Sequence, residues 1–294
     1  MKKETVFPVE ESATLLDFLL VHVTGQSRNS VKHLLSRGQV LVDGVPRKQF
    51  DFSLISGQTV TILPQARGAV LPFPVLYEDE GFLVIHKPAG LLSVASDSQK
   101  NRTAYRLVND YLRARDPGAR LFIVHRLDRD TSGVLLFAKT AELKNTLQEN
   151  WSGHVKKRNY WAIAEGEVLP DSGECRSRLT ENKVHRVYST KIDGEGKEAV
   201  TRFTVLDRKK GYSLLNVELD TGRKNQIRAH LAELGHPVVG DDKYGAQTDP
   251  MGRLGLHAYE LTLSDPRSGR LLTFAAPSPD GFRRMFPRQF SSKL

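Results

Sequence analysis

His125-Arg126-Leu127-Asp128-Arg129-Asp130-Thr131-Ser132-Gly133 separates two apolar runs, residues 121–125 and 133–139, that read as β-strands. Polar residues packed between two such strands fit two descriptions. Asp, Ser and Gly are turn formers, so residues 129–133 are satisfied by a surface turn. A loop held at a rigid sheet edge is also where a reactive side chain is presented. Residue types alone favour the turn, and the choice rests on what surrounds them.

Toward the N-terminus, Phe82-Leu83-Val84-Ile85-His86 reads as a strand ending in the turn Lys87-Pro88-Ala89-Gly90. A helix is expected over residues 103–115, with Ala104, Leu107, Val108, Tyr111 and Leu112 on one face. Toward the C-terminus, residues 160–165, 200–206, 212–219 and 256–263 are strand-like. No regular βαβ rhythm links them, so the expected class is α+β: a mixed, mainly antiparallel central sheet flanked by helices.

Ahead of this body, residues 12–63 read as a separate small α+β unit. Thr14 is an N-cap for a helical run of Leu15, Leu16, Phe18, Leu19 and Leu20. Ser27 announces a second helix that Gly38 stops, with Val31, Leu34 and Leu35 on its apolar face and Arg28, Lys32 and Arg37 elsewhere. Val40-Leu41-Val42 then meets Asp43-Gly44, a strong hairpin signal. Pro64, Gly68, Pro72 and Pro74 mark a linker over residues 64–74, which leaves 75–294 as the large domain.

Composition narrows the function. Across 294 residues, 39% are hydrophobic and 26% charged, ordinary values for a globular protein. No apolar run is long enough to span a membrane, and Met1-Lys2-Lys3-Glu4 leads into no secretory h-region, so a cytoplasmic address is expected. The 43 Lys and Arg against 34 Asp and Glu give a net charge of +9, which favours a polyanionic partner. Cys175 has no second Cys to pair with and no His beside it in sequence, and reads as a small buried or half-buried residue. No Gly-rich cofactor loop follows a strand, and no metal-binding motif is present.

With these elements in place, three ordered stretches resemble the RluA-type pseudouridine synthases, a family that modifies large ribosomal RNA and some tRNA. They are His125 to Gly133 as quoted, Tyr77-Glu78-Asp79 with Phe82 to Leu91, and Leu219-Asp220-Thr221-Gly222-Arg223-Lys224-Asn225-Gln226-Ile227-Arg228-Ala229-His230-Leu231 continuing to Gly235-His236-Pro237-Val238-Val239-Gly240-Asp241. Leu256-His257-Ala258 also fits, and the likeness spans residues 76–287. Residues 30–44 resemble the S4 RNA-binding module that precedes the catalytic domain in many members.

The resemblance implies an enzyme that isomerises uridine to pseudouridine in structured RNA, large-subunit rRNA first and tRNA second, with no metal or organic cofactor. Asp128 would be the catalytic carboxylate, either a nucleophile or a base removing the C2′ proton. Arg228 would pair with it bidentately and hold its pKa low. Tyr160 would stack near the target base, Ile227 would lie beside the uracil ring, and Arg126 would fill the place of a flipped-out nucleotide. Arg28, Lys32, Arg37, Lys156 and Lys157 are expected to contact RNA, together with neighbours such as Arg158. Lys224-Asn225 stands where many members have Thr-His, and His86 where Asn or Asp is frequent. The competing reading is an inactive RNA-binding ribosome assembly factor. A monomer is expected.

Overall fold

The structure, a computed structural model, describes residues 5–25, 27–36, 38–63, 71–95 and 102–290. Two compact units divide the chain, with the main boundary between Val70 and Leu71. The first runs β1 (Thr5–Pro8), β2 (Ala13–Thr14), α1 (Leu15–His22), α2 (Arg28–Ser36), β3 (Val40–Val42), β4 (Val45–Pro46), β5 (Ser53–Leu54) and β6 (Thr59–Ile62). β1, β6, β3 and β4 pair in that order as an antiparallel sheet, and β2 pairs with β5.

Local chemistry accounts for these elements. The Thr14 hydroxyl accepts the Asp17 N–H at 3.2 Å and so starts α1. Ser27 accepts the Ser30 N–H at 3.2 Å ahead of α2. Asp43 and Gly44 both take positive φ, 49° and 78°, as a two-residue hairpin between β3 and β4 requires. Leu15, Leu19, Val31, Leu35, Val40, Val42 and Val60 close one core. Arg28 and Lys32 stay exposed on α2, while Arg37 lies outside the described residues.

The second unit contains β7 (Val75–Glu78), β8 (Phe82–Lys87), α3 (Ala104–Arg115), β9 (Phe122–Ile123), β10 (Ser132–Ala138), α4 (Ala141–Glu149), α5 (Trp151–His154), β11 (Val155–Glu165), β12 (Ser172–Glu181), β13 (Val187–Thr190), β14 (Lys197–Lys209) and β15 (Tyr212–Leu219). It continues through α6 (Gln226–Glu233), a 3-10 turn at Asp242–Tyr244, β16 (Leu256–Ser264), β17 (Leu271–Ala275), α7 (Asp280–Met285) and α8 (Pro287–Phe290). Eleven strands form one sheet in the order β13-β12-β14-β15-β11-β16-β10-β8-β7, with β17 on β16 and β9 on β10. Every pairing is antiparallel except β10 with β16, which run parallel at Ser132↔His257 and Gly133↔Ala258. The class is therefore mixed and mainly antiparallel, with helices packed against the sheet.

β16 joins two halves of this sheet. On one side lie β7 to β10, whose Phe82, Val84, Val134 and Leu136 pack with Leu143 and Leu147 of α4. On the other lie β11 to β15, where Ala162, Leu215 and Val217 bury Ile227 and Leu231 of α6. Burial of such side chains contributes about 1.5–3 kcal/mol each and fixes α6 on the sheet. The junction itself demands Gly133: its φ is 122°, and a Cβ there would stand 2.0 Å from the Ala258 carbonyl oxygen.

Two departures from sequence expectation have clear causes. The strand expected over 121–125 shrinks to Phe122–Ile123 because the chain leaves β10, and the Leu136 N–H is met instead by His125 Nε2 at 3.0 Å. The β12–β13 hairpin was not anticipated. From Ser172 to Arg178, β12 alternates exposed and half-buried residues that are mostly polar, and β13 is only four residues long, a weak signal near an edge. Among the described residues no helix is long and apolar enough to cross a membrane.

Candidate active site

Asp128 belongs to the loop between β9 and β10, and both of its neighbours are pinned. Ser93 Oγ donates to the Leu127 carbonyl at 2.7 Å and accepts the Leu127 N–H at 3.1 Å. On the other side, Lys87, wholly buried at the end of β8, donates from Nζ to the carbonyls of Arg129 (2.9 Å), Leu91 (2.7 Å) and Pro88 (2.9 Å). Three carbonyls match the three protons of an ammonium. Burial pushes Lys87 down to about 7, with Asp130 and Asp128 drawing it back up.

Held in this way, the Asp128 side chain faces a cleft of about 610 Å³ lined also by Arg126, Tyr160, Ile227, Arg228 and Leu256. Among the described residues no donor hydrogen-bonds its carboxylate, and Arg228 Nη1 stands 3.9 Å away. A second recess, of about 700 Å³, opens on Asp128 between Arg129, Lys224 and Arg253. Burial raises the Asp128 pKa above the ordinary value despite the opposing charges of Arg228, Arg126, Lys87 and Lys224. The expected low pKa is thus corrected: the cations are near, but none replaces the water that the carboxylate loses.

Arg228 corrects a second expectation. Its bidentate partner is Asp241, with Nε and Nη2 each 2.6 Å from a carboxylate oxygen. Asp241 is fully buried, so it claims the guanidinium outright. Burial opposes the Arg228 charge, but the Asp241 contacts outweigh it and raise the Arg228 pKa. Nη1 remains for Asn225 Oδ1 (3.2 Å) and Asp128. Arg228 also lies over the Tyr244 ring at 5.0 Å.

α6 is set by the loop before it. Gln226 accepts from Thr221 Oγ1 (2.8 Å) and the Arg223 N–H (2.9 Å), and donates to the Val200 carbonyl (3.0 Å) and Thr201 Oγ1 (2.9 Å). Asn225 turns the chain into the helix through a left-handed conformation. Its Nδ2 donates to the Tyr244 hydroxyl at 3.2 Å.

Tyr160 sits on β11 between Val217 and Ala258, on the strand that flanks β16. Burial pushes its hydroxyl up to about 12, so it stays a neutral phenol. Ile227 is both a cleft wall and a member of the core beneath α6. Arg126 is exposed within the cleft wall. Lys156 and Lys157 are exposed at the start of β11 and do not line the cleft.

Arg158 lines the cleft and also braces it. Its Nη2 donates to the carbonyls of Leu219 (2.8 Å) and Asp220 (2.7 Å), tying β11 to the loop before α6. Burial, with Glu233 and Glu174, pushes Cys175 up to about 11, so no thiolate is available. Sequence reasoning passed over Lys87, Ser93 and Asp241. Lysine and aspartate read as exposed by default, and only burial reveals them.

The fold and cleft define a class: a protein that holds one rigidly framed carboxylate in a hollow also lined by Arg126, Arg158, Arg223 and Arg228. The sequence model described as RNA pseudouridylate synthase matches residues 81–233, just over half of the chain. Ribosomal large subunit pseudouridine synthase D of Neisseria meningitidis serogroup A is 34% identical over 93% of this chain and 78% of its own length. The protein of that name from Xanthomonas campestris is 32% identical over 96% of this chain and 91% of its own. The solved human RNA pseudouridylate synthase domain containing 1 is 26% identical, with a TM-score of 0.57 over 72% of this chain and 86% of that one. Human RNA pseudouridylate synthase domain containing 4 shares the fold, with a TM-score of 0.60 at 23% identity over 73% and 92%. The chain belongs to the RNA pseudouridylate synthase family and is an RNA pseudouridine synthase, an isomerase.

Proposed function

We propose that the protein converts uridines of large-subunit ribosomal RNA to pseudouridine, with Asp128 as the reacting carboxylate. One observation carries the assignment. The Asp128 carboxylate has no hydrogen-bond donor among the described residues, yet Leu127 and Arg129 on either side of it are fixed. A group so placed is free to react and is held in aim.

The isomerisation breaks the N1–C1′ bond, turns the base and forms C5–C1′; C5 gives up its proton and N1 gains one. Asp128 acts either by covalent attack or by taking the C2′ proton, and both require the ionised carboxylate. Arg228, held by Asp241, offers Nη1 to that charge. Tyr160 presents an aromatic face and Ile227 an apolar wall to the uracil, and Arg126 takes the vacated place in the RNA.

The rRNA target is supported by the names of relatives that match nearly the whole chain. The N-terminal unit is read as an S4 module, residues 12–63, in which Arg28 and Lys32 meet RNA phosphates. Lys156 and Lys157 are read as further contacts on the catalytic domain, residues 75–294.

Tritium release from RNA labelled at uracil C5 tests the proposal, with rRNA and tRNA assayed separately and Asp128→Ala as control. Release from rRNA that vanishes in the variant is the expected result. Release from tRNA alone would move the target. Release undiminished in Asp128→Ala would remove Asp128 from the chemistry.

A further inference from the structure

Lys224 occupies the loop between β15 and α6. It lines the recess that also holds Asp128, Arg129 and Arg228. It also lines a third recess, of about 550 Å³, bounded by Thr180, Glu181, Lys197 and Arg223. A cation standing between the recess that holds Asp128 and a second hollow is well placed for the backbone of an RNA strand that continues past the target nucleotide.

That cation is already paired. Lys224 Nζ donates to Glu181 Oε1, at the end of β12. Glu181 Oε1 also meets His185 Nδ1 at 2.8 Å, in the turn that follows. The same turn accepts Lys243 Nζ at the His185 carbonyl, 2.5 Å away. Lys224 and Glu181 keep 43% and 35% of their side chains exposed, and ion pairs of that kind are weak. A phosphate offers the same acceptor chemistry as the carboxylate and adds counterion release from the RNA.

We propose that Lys224 binds a phosphate of the RNA flanking the target uridine, and that Glu181 is its resident counter-ion, exchanged for that phosphate on binding. The proposal rests on RNA being the substrate. Glu181 lowers affinity for any polyanion that cannot reach Lys224, so the pair selects for strands threaded past Asp128. Because Lys224 and Glu181 lie on different elements, the exchange also removes one link between β12 and the loop before α6, while Tyr244 still joins Val187 to Asn225.

Binding of the full chain to deproteinised large-subunit rRNA, followed from about 50 to 200 mM salt, tests this. Lys224→Thr is expected to reduce the slope of log affinity against log salt by about 0.7–0.9, while Lys224→Arg keeps it. Glu181→Gln is expected to tighten binding roughly two- to fivefold at low salt, and to lose that gain in the Lys224→Thr background. An unchanged slope in Lys224→Thr would overturn the proposal. So would an equal gain from Glu181→Gln in both backgrounds, which would mark simple repulsion. Failure of the parent protein to exchange C5 tritium on rRNA would count against the target reading alone, because the slope does not depend on turnover.

Discussion

Arg228 is bound by Asp241 more closely than by Asp128: two contacts of 2.6 Å against one of 3.9 Å. The guanidinium is therefore aimed by a buried carboxylate before any substrate arrives. Asp128 is left with a fixed positive neighbour and, among the described residues, no direct hydrogen bond.

Asp241→Asn should expose this arrangement. The substitution keeps the shape but leaves buried Arg228 with Asp128, 3.9 Å away, as its nearest carboxylate, a change worth about 3–5 kcal/mol when one partner of such a pair is lost. Urea unfolding should show a loss of that order. Tritium release should fall in kcat more than in KM. Full activity and unchanged stability would show that Arg228 holds its place by packing alone.

The pH profile of Asp128 follows from its raised pKa. Both routes need the carboxylate, so kcat/KM should fall tenfold per pH unit below a midpoint above the ordinary ~3.9 of aspartate. For stability, the folded state binds this proton more tightly than the unfolded one, so the charge destabilises the fold above the raised pKa. Asp128→Asn should abolish tritium release and leave the melting temperature equal or higher at pH 7. A large drop in melting temperature would contradict burial as the cause of the shift.

His125 and His257 are both pushed down to about 3 by burial. His125 accepts the Leu136 N–H, and His257 Nδ1 meets Ser132 Oγ at 2.7 Å. Both must be neutral in the fold and charge readily in the unfolded chain, near pH 6.5. Their contribution is complete above that pH and declines as pH falls toward 3. Each should give a slope approaching about 1.4 kcal/mol per pH unit. Urea unfolding at pH 7 and pH 5 should show it, and His125→Gln should flatten the slope by one histidine's share.

Gly133→Ala should be among the most damaging single changes. Its Cβ would meet the Ala258 carbonyl at 2.0 Å, backbone against backbone, at a φ of 122°. A loss of roughly 4 kcal/mol or more, or failure to accumulate as soluble protein, is expected. A variant melting close to the parent would mean that β10 and β16 part more easily than their register implies.

Much of the fold was legible because local chemistry dictates it. Only residues tolerant of positive φ suit the Asp43-Gly44 turn, and the Thr14 hydroxyl had an N–H to cap. β15 begins and ends where the strand-like run 212–219 does. Elements whose stability comes from distant partners were not legible. β12 reads as polar because it lies near an edge, and β9 was overextended because a side chain, His125, takes over from its backbone. In the site, Asp128, Arg228, Tyr160, Ile227 and Arg126 meet in one cleft although they span a hundred residues. What holds them was hidden. Lys87 is a lysine with no exposed surface, and Asp241 reaches Arg228 across a loop that only the folded chain closes.

β16 carries a consequence for the protein's synthesis. Asp128 belongs to the half of the sheet made before residue 139, and Tyr160 and Arg228 to the half made after residue 154. Leu256–Ser264 is the strand that stitches the two together. A nascent chain that has emerged only as far as the helix carrying Arg228 holds Arg126, Asp128, Tyr160, Ile227 and Arg228 but lacks Leu256 and the strand that brings them together. Catalytic competence therefore arrives late in translation, when this strand clears the exit tunnel and slides between its neighbours.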